Sequence, residues 1–379
     1  MRILSTILLT GMLLIAGCRA EKISTENPET ETPVESRLSL FFSGDYMQHL
    51  PQVNSARRPD GSFDYTGTLT NLSPFFKNAD FSILNFETTI SERNFTGYPC
   101  FHSPKAAMCY LKEVGVKVLM LANNHCCDGG EQGIRTTLAV ADSCGFLRSG
   151  VYADSADYRR YHPLILQKGE IRLAILNYTY GTNGLPVPAG VIVNHIDTAL
   201  IRQDLKEARR HKATDIIVFY HWGQEYQPYP DKQQKQLADW THQQGVTLVV
   251  GSHPHVIQPI ESVVQDSVVN RITLYSLGNL ISNQPEPDCK GALSFYIELV
   301  RTKGVPTRYE NGAYLFHWVG IDRQVNKTDY SVIPVFSADS LLIPGVSDIG
   351  LDIFTEQAYK LITPSAGIKE ITSYPPAEN

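Results

Sequence analysis

The stretch VTLVVGSHPH, residues 246–255, joins an apolar run to a pair of histidines. Its valines favour an extended strand, and a run that is apolar apart from Thr247 is typical of a strand covered on both faces. Because proline restricts the residue before it to extended backbone, we expect His253 and His255 on extended chain with their rings on similar sides. The stretch therefore predicts a buried strand that ends in two candidate metal ligands.

The same pattern, an apolar β-rich run followed by polar residues, recurs along the chain. The runs are 38–42 (LSLFF), 81–84 (FSIL), 116–121 (VKVLML), 171–178 (IRLAILNY), 215–220 (DIIVFY) and 272–276 (ITLYS). Helices are predicted between them over 105–114, from Asp197 to about His211, and from Asp231 to Gln244. Strands that alternate with helices of this length predict an α/β layered domain. Later runs predict more antiparallel strands at 293–300, 313–319 and 329–335, and a helix near 352–362.

The first residues predict export. Arg2 precedes a nearly apolar run that ends in LIAGC at Cys18, and this run is shorter than the roughly 20 residues that a spanning helix needs. The small residues before Cys18 resemble a lipobox, so we expect a signal peptide over 1–17 and lipidation of Cys18; an ordinary secretory signal with an incidental cysteine is the alternative. The protein would then be an exported lipoprotein of the bacterial cell envelope, held to the membrane by its acyl chains.

Composition divides the rest of the chain. Residues 18–36 are polar and punctuated by proline, which is typical of a disordered tether. The main domain is predicted over 37–336, with a less patterned C-terminal extension over 337–379. The 379 residues carry a formal net charge of −6 without a Lys/Arg-rich stripe, so nucleic acid is excluded as a partner. An acidic polymer would have to be bound through local cationic groups or metal.

Six cysteines remain after Cys18, and an exported protein can form disulfides. They are Cys100, Cys109, Cys126, Cys127, Cys144 and Cys289. Cys100 with Cys109, or Cys127 with Cys144, could pair; the alternative is that all are small buried side chains. The vicinal cysteines beside His125 could support soft-metal or redox chemistry, against the same alternative of simple burial.

Polar residues at the ends of successive strands are candidate metal ligands. Open α/β sheets bind ligands at the carboxyl ends of their strands, so these side chains are expected to converge. They are Asp45, Glu87, Asn124, His125, His221, His253 and His255. Imidazoles mixed with oxygen ligands suit zinc, iron or manganese better than calcium or magnesium. Each residue alone could be a turn residue, a surface carboxylate or a packed histidine, but their recurrence at strand ends favours a metal site.

Several sequence blocks carry a family resemblance. The blocks FSGDYM, ADFSILNFET, LANNHCCDGGEQGI, YHWGQEY, GSHPHVIQPIE and YSLGNLI resemble, in this order, the signature blocks of the CapA, or poly-γ-glutamate capsule synthesis, family. The likeness covers roughly residues 37–335. This family is similar to the calcineurin-like metallophosphoesterases, which implies a four-layer α/β/β/α sandwich with a dinuclear metal centre.

The resemblance also implies a role for each candidate. Asp45 is similar to the first-strand carboxylate ligand, and Glu87 stands where the phosphoesterases have a bridging aspartate. The other implied ligands are Asn124, His221, His253 and His255. His125 resembles the histidine that is not a ligand and assists the leaving group. Candidates for support of the ligands or contact with substrate, with turn, helix-start or packing roles as the alternative, are Asn123, Trp222, Glu225, Tyr226 and Asn279.

One departure from the phosphoesterase pattern concerns the number of metals. Met47 occupies the position of a ligand histidine two residues after the first aspartate, and Glu87 is longer than aspartate. The resemblance therefore implies one or two divalent or trivalent ions. Two functions are predicted: a metal-dependent hydrolase of the phosphoesterase type acting on a cell-surface polymer or its precursor, or a protein that binds or exports an anionic polymer such as poly-γ-glutamate without turnover.

Overall fold

The computed structural model describes residues 34–266, 268–324, 327–341, 349–363 and 367–376. Val34–Asn379 forms one compact unit. The predicted signal peptide, Cys18 and the tether up to residue 33 lie outside the described residues. The predicted boundaries at residues 17, 36 and 336 remain predictions, and the first strand begins at Glu35.

The strands are numbered in chain order. They are β1 (Glu35–Tyr46), β2 (Phe81–Phe86), β3 (Thr89–Ser91), β4 (His102–Pro104), β5 (Val118–Met120), β6 (Leu147–Ser149), β7 (Val151–Tyr152), β8 (Leu164–Lys168), β9 (Ile171–Thr179), β10 (Ile192–Val193), β11 (Asp215–His221), β12 (Leu248–Ser252), β13 (Ile260–Gln265), β14 (Val268–Leu274), β15 (Gly291–Thr302), β16 (Arg308–Gln324), β17 (Lys327–Pro334) and β18 (Ile368–Glu370).

The helices follow the same order. They are α1 (Leu50–Ala56), α2 (Ser73–Asn78), α3 (Lys105–Glu113), α4 (Gly130–Ser143), α5 (Ser155–Tyr161), α6 (Thr198–Arg210), α7 (Lys232–Gln243), α8 (Pro287–Lys290), α9 (Ala338–Leu341) and α10 (Ile349–Leu361), with short 3₁₀ turns at Thr70–Leu72 and Val335–Ser337. The predicted caps are confirmed for two of them. Asp197 accepts hydrogen bonds from the first amides of α6, and Asp231 accepts one from Gln234 in α7.

Two large sheets carry the fold. The first has the order β17-β16-β15-β1-β2-β5-β6, with β18 paired to β16, and the second has the order β13-β14-β12-β11-β9-β8. Pairing is parallel from β1 through β2 and β5 to β6, and again from β9 through β11 and β12 to β14. The strands β15, β16 and β17 pair antiparallel, as predicted. Each parallel set directs its carboxyl ends to one edge, which is where the predicted polar clusters lie.

The order of layers follows from alternation along the strands. In β1, Leu38, Leu40 and Phe42 join the core between the two sheets, while Phe41 joins the core under α2, α3 and α4. In the second sheet, Leu176 and Val218 face the opposite way, toward α6 and α7. A strand with both faces buried must be apolar at successive positions, which explains the continuous runs in the sequence. The predicted α/β/β/α sandwich is confirmed.

Two further findings concern predictions from composition. The six cysteines of the described residues are free thiols, so neither of the two pairings considered is formed. Cys126 and Cys127 are buried, with their sulfur atoms 3.9 Å apart. Within the described ranges, no helix has the length and apolar character needed to cross a membrane.

Candidate metal centre

A close approach of two backbone segments positions Asp45 at the end of β1. The pairing of β1 with β2 shifts between Ser43 and Asp45, so Gly44 bulges out. A Cβ at Gly44 would lie 1.8 Å from the carbonyl oxygen of Gly278, and the amide of Asp45 donates to that oxygen at 2.9 Å. Only glycine permits this contact, which fixes the fully buried Asp45 at the edge of the sheet.

The end of β2 brings two more polar side chains to the same place. Asn85 pairs with Asp45 across the strands, and Glu87 follows two residues later on the same face. The side-chain nitrogen of Asn85 donates to Oδ1 of Asp45 at 2.8 Å and to Oε2 of Glu87 at 2.9 Å. One amide thus holds two buried carboxylates side by side.

The His253-Pro254-His255 segment reaches the cluster by a different backbone than predicted. The expected extended chain is wrong: His253 has φ +98° and His255 has φ +60°, both in the left-handed region. The turned segment places the His253 amide 3.3 Å and the Nδ1 atom of His255 3.2 Å from Oδ2 of Asp45. The two rings still belong to one cluster, with centroids 5.8 Å apart. Such backbone strain persists where surrounding contacts determine it, and it is frequent at functional sites.

His221 is the last residue of β11 and is fully buried. Its Nδ1 atom lies 2.9 Å from Oγ of Ser252, and its Nε2 atom lies 2.9 Å from Oδ1 of Asn124. Ser252 is the residue opposite His221 in the neighbouring strand β12. The strand register therefore holds the ring in one orientation and brings Asn124 against it.

Among the residues that the structure describes, three overlapping groups of side chains could hold metal. They are Glu87 with His221 and His253, Asp45 with Glu87 and His255, and Glu225 with His253 and His255; within each group the ligand atoms lie within 4.8 Å of one another. Five of the predicted ligands come together in these groups. Asn124 joins them through its contact with His221.

Burial sets the protonation of the cluster. Desolvation, with repulsion from neighbouring imidazoles, holds the pKa of His221 well below its usual range and lowers the pKa of His253 to about 3. Burial, with the nearby Asp45, Glu225 and Asp128, raises the pKa of Glu87 well above its usual value. Neutral imidazoles have free lone pairs, and crowded carboxylates repel one another, so a cation is the group that would stabilise both.

Unsatisfied polar atoms support the same fit. Oε1 of Glu87 and Nδ1 of His253 are buried without a hydrogen-bond partner in the part of the chain that the structure describes. Oε1 of Glu87 lies 3.6 Å from Nε2 of His221 and 3.8 Å from Nε2 of His255, beyond hydrogen-bond distance. Buried polar atoms without partners are rare and costly, so this donor set fits a metal ion.

His125 lies beside the ligand groups and belongs to none of them. Its Nδ1 atom is 2.7 Å from Oδ2 of Asp128, and the same oxygen accepts the Phe101 amide at 2.7 Å. The Phe101 ring packs edge-on against the imidazole, with centroids 4.6 Å apart. This arrangement directs the other ring nitrogen, Nε2, away from Asp128.

The remaining candidates surround the cluster. Oδ1 of Asn279 lies 3.0 Å from Nδ1 of His255, and the side-chain nitrogen of Asn123 donates to Asn85 at 3.1 Å. Tyr226 is half exposed, with its ring 6.1 Å from that of His255. Trp222 is buried and donates to the carbonyl of Tyr275 at 2.9 Å, so most of its surface serves packing.

Sequence reasoning missed four residues of this site. Asn85, Asp128, Ser252 and Tyr180 each contact a candidate ligand or His125. Alternation from Glu87 could have indicated Asn85, because residues two apart in a strand share a face. Tyr180 and Asp128 follow from loop conformations that carry no simple sequence pattern. Met47 is buried and supplies no imidazole or carboxylate.

The chain combines a four-layer α/β/β/α fold with an imidazole–carboxylate cluster at the strand ends, which is the arrangement that the sequence predicts. The model of the bacterial capsule synthesis protein PGA_cap family matches residues 39–284, which is more than half of the chain. The chain belongs to this family, and the predicted CapA resemblance is confirmed.

Two curated relatives and one solved structure are similar to the chain. The PGA biosynthesis protein CapA of Bacillus subtilis (strain 168) is 29% identical over 271 residues, which cover 68% of this chain and 67% of that protein. The capsule biosynthesis protein CapA of Bacillus anthracis is 26% identical over 290 residues, covering 73% and 67%. A calcineurin-like phosphoesterase from Bacillus subtilis covers 86% of this chain and 98% of its own, with 12% identity and a TM-score of 0.43.

Proposed function

We propose that this capsule-synthesis family member is a metal-dependent hydrolase of the phosphoesterase type that acts on a cell-surface polymer or its precursor. The observation that carries the proposal is the buried cluster of Asp45, Glu87 and three histidines, with unsatisfied ligand atoms. A binding protein needs a surface complementary to its ligand, whereas a cluster of this kind beside a positioned histidine is typical of hydrolytic centres.

The residues that would hold the metal are those of the three groups, with Asn124 beside His221. Zinc, iron or manganese, as one or two ions, suits this mixture of nitrogen and oxygen donors. A metal bound here supplies Lewis-acid polarisation of a phosphoryl or carbonyl oxygen and a more acidic water.

His125 is the candidate proton donor. Asp128 holds its Nδ1 proton, so the imidazolium can release the Nε2 proton to a leaving oxygen and return to the neutral form. The Phe101 ring restricts rotation of the imidazole. The substrate would carry an oxyanion, because the metal groups on the other side of the site supply the positive charge that such a group needs.

Metal analysis with a turnover assay tests this proposal. We expect purified protein to retain about one or two equivalents of metal and to hydrolyse bis(p-nitrophenyl) phosphate. His125→Ala should lower kcat by about 10²- to 10⁴-fold while the metal content stays the same. His211→Ala, an exposed histidine at the end of α6, is the matched control and should change neither quantity. Protein that keeps only trace metal after mild dialysis contradicts the proposal.

We also propose that the protein is exported and anchored in the bacterial envelope through lipidated Cys18, with an anionic cell-surface polymer or its precursor as partner. The support is the apolar start, the LIAGC run and the polar segment that follows it. Cys18→Ala should move the protein from the membrane fraction to a soluble fraction. Equal membrane association of both proteins would contradict the lipid anchor.

A further inference from the structure

Two grooves share the loop that follows His221. The first has a volume of about 570 Å³ and is lined by Trp222, Gly223 and Gln224 on this loop; we call it the amide groove. The second has a volume of about 320 Å³ and is lined by Tyr226, Pro228 and Tyr229; we call it the tyrosine groove. In the sequence, Glu225 stands between the loop residues that line the first groove and those that line the second, and it belongs to one of the metal-ligand groups. Both volumes are typical of ligand pockets.

An exposed tyrosine connects each groove with the metal centre. Tyr180 lines the amide groove, and its ring centroid lies 4.5 Å from that of His253 and 6.2 Å from that of His221. Tyr226 lines the tyrosine groove and lies 6.1 Å from His255. The two grooves therefore lie on either side of the metal centre, the amide groove beside His253 and the tyrosine groove beside His255.

The charges in the two grooves do not suit a polyanion. Among the described residues that line them, the ionisable groups that carry charge at neutral pH are Asp231 in the amide groove and Asp288 with Lys360 in the tyrosine groove. Asp231 already caps α7. A chain with one negative charge per unit gains affinity from a surplus of Lys and Arg, and this surplus is absent from the described lining.

The uncharged lining has a consistent chemistry. Gln224, Gln233 and Gln236 are exposed in the amide groove, and a carboxamide both donates and accepts hydrogen bonds. Tyr229 is exposed in the tyrosine groove, and Trp240 is half-buried in the amide groove. Sugar rings combine hydroxyl or acetamido edges with a flatter apolar face, so they match amides placed beside aromatic rings.

We propose that the two grooves bind uncharged sugar units on either side of the bond whose charged group lies at the metal centre. This inference rests on the proposed hydrolase and narrows its anionic polymer to one that carries its charge in the linking group between uncharged units, in contrast to polyglutamate, which carries a charge on every unit. The substrate lies across the loop at Glu225, with several units bound at once, so a longer oligomer binds more tightly than its monomer.

Isothermal titration of the full chain tests this inference with a neutral probe. Chitohexaose should bind at least about ten times more tightly than N-acetylglucosamine. Its affinity should be the same in about 50 mM and about 500 mM NaCl, because no charge pair is involved. Tyr229→Ala and Gln236→Ala should each weaken binding by about three- to tenfold. Gln243→Ala, on the same helix and exposed outside the groove, should bind like the original protein.

The outcomes separate this inference from the proposed hydrolase. Oligomer binding that is kept in protein without turnover or metal supports the grooves and contradicts only the hydrolase. Tighter, salt-sensitive binding of poly-γ-glutamate than of chitohexaose overturns the inference, as does absence of chitohexaose binding. Equal losses in Gln236→Ala and Gln243→Ala would also overturn it, because binding would then not depend on the groove.

Discussion

Nδ1 of His125 lies 2.7 Å from Oδ2 of Asp128, three residues later in the same turn. Both side chains are buried, and the carboxylate also accepts the Phe101 amide. A buried carboxylate in this position orients an imidazole and fixes its tautomer. The pair therefore gives His125 a fixed orientation, which the proposed general acid would need.

Asp128→Asn should lower kcat without loss of metal. Asparagine keeps an oxygen for the Phe101 amide but no negative charge for the imidazolium, so we expect a fall of roughly tenfold to a hundredfold. The measurement is kcat for bis(p-nitrophenyl) phosphate together with metal content. Asp239→Asn removes an exposed carboxylate that pairs with Arg271 at 3.0 Å and should leave kcat unchanged. A fall in metal content that accounts for the lost activity would place Asp128 among the residues that hold the metal.

Glu87→Gln should stabilise the metal-free protein and weaken the metal-loaded one. Burial and Asp45 raise the pKa of Glu87 in the folded protein. Below the usual pKa of glutamate, the group is protonated in both the folded and the unfolded chain and costs no stability. As pH rises from there through the raised pKa, the unfolded chain ionises more readily than the folded chain, so the folding stability falls. At pH about 7.5 the neutral amide removes this cost, on the order of 1–3 kcal/mol. Thermal unfolding with EDTA and with added zinc measures both effects. If Glu87→Gln is more stable than the original protein both with EDTA and with added zinc, a role for Glu87 in holding metal is contradicted.

Gly44→Ala should disturb the centre from within β1. The added Cβ would stand 1.8 Å from the carbonyl oxygen of Gly278, so the strand must move and the Asp45 amide loses its partner. We expect a loss of about 1–3 kcal/mol in the free energy of unfolding and weaker metal binding. Gly181→Ala is the control, because a Cβ there has no described neighbour within 4 Å. An unchanged metal content in Gly44→Ala would show that the bulge does not position Asp45.

The strand runs were predictable because both faces of each central strand are buried. Leu38, Leu40 and Phe42 face one core while Phe41 faces the other, and this produces an apolar run that can be read without a structure. The ends of such runs then indicated Asp45, His221 and the His253 segment, since parallel strands bring their carboxyl ends together.

Contacts between distant segments were not predictable in the same way. His253 and His255 adopt left-handed backbone beside Asp45, more than 200 residues earlier, and the local proline rule does not include such a contact. Asp128 acquires its role from a turn that places it against the His125 ring. The short strands β6 and β8 also carry too few residues for a pattern, and pairing to longer neighbours determines them.

His317 should make stability depend on pH independently of the centre. It is fully buried in β16, with Nε2 3.1 Å from Oγ of Ser294, and burial lowers its pKa to about 3. The histidine of the unfolded chain has a pKa of about 6.5. Below this pH the unfolded chain binds a proton that the buried ring of the folded chain does not bind. Stability is therefore complete above pH about 6.5 and falls as pH decreases toward 3. When pH is lowered from about 7.5 to about 5, this single group should reduce the free energy of unfolding by roughly 2 kcal/mol.

His317→Leu removes the ring, while Ser294 keeps its 2.8 Å hydrogen bond with Ser43. Denaturant unfolding of both proteins at the two pH values measures the difference, and parallel pH profiles would contradict a neutral buried His317.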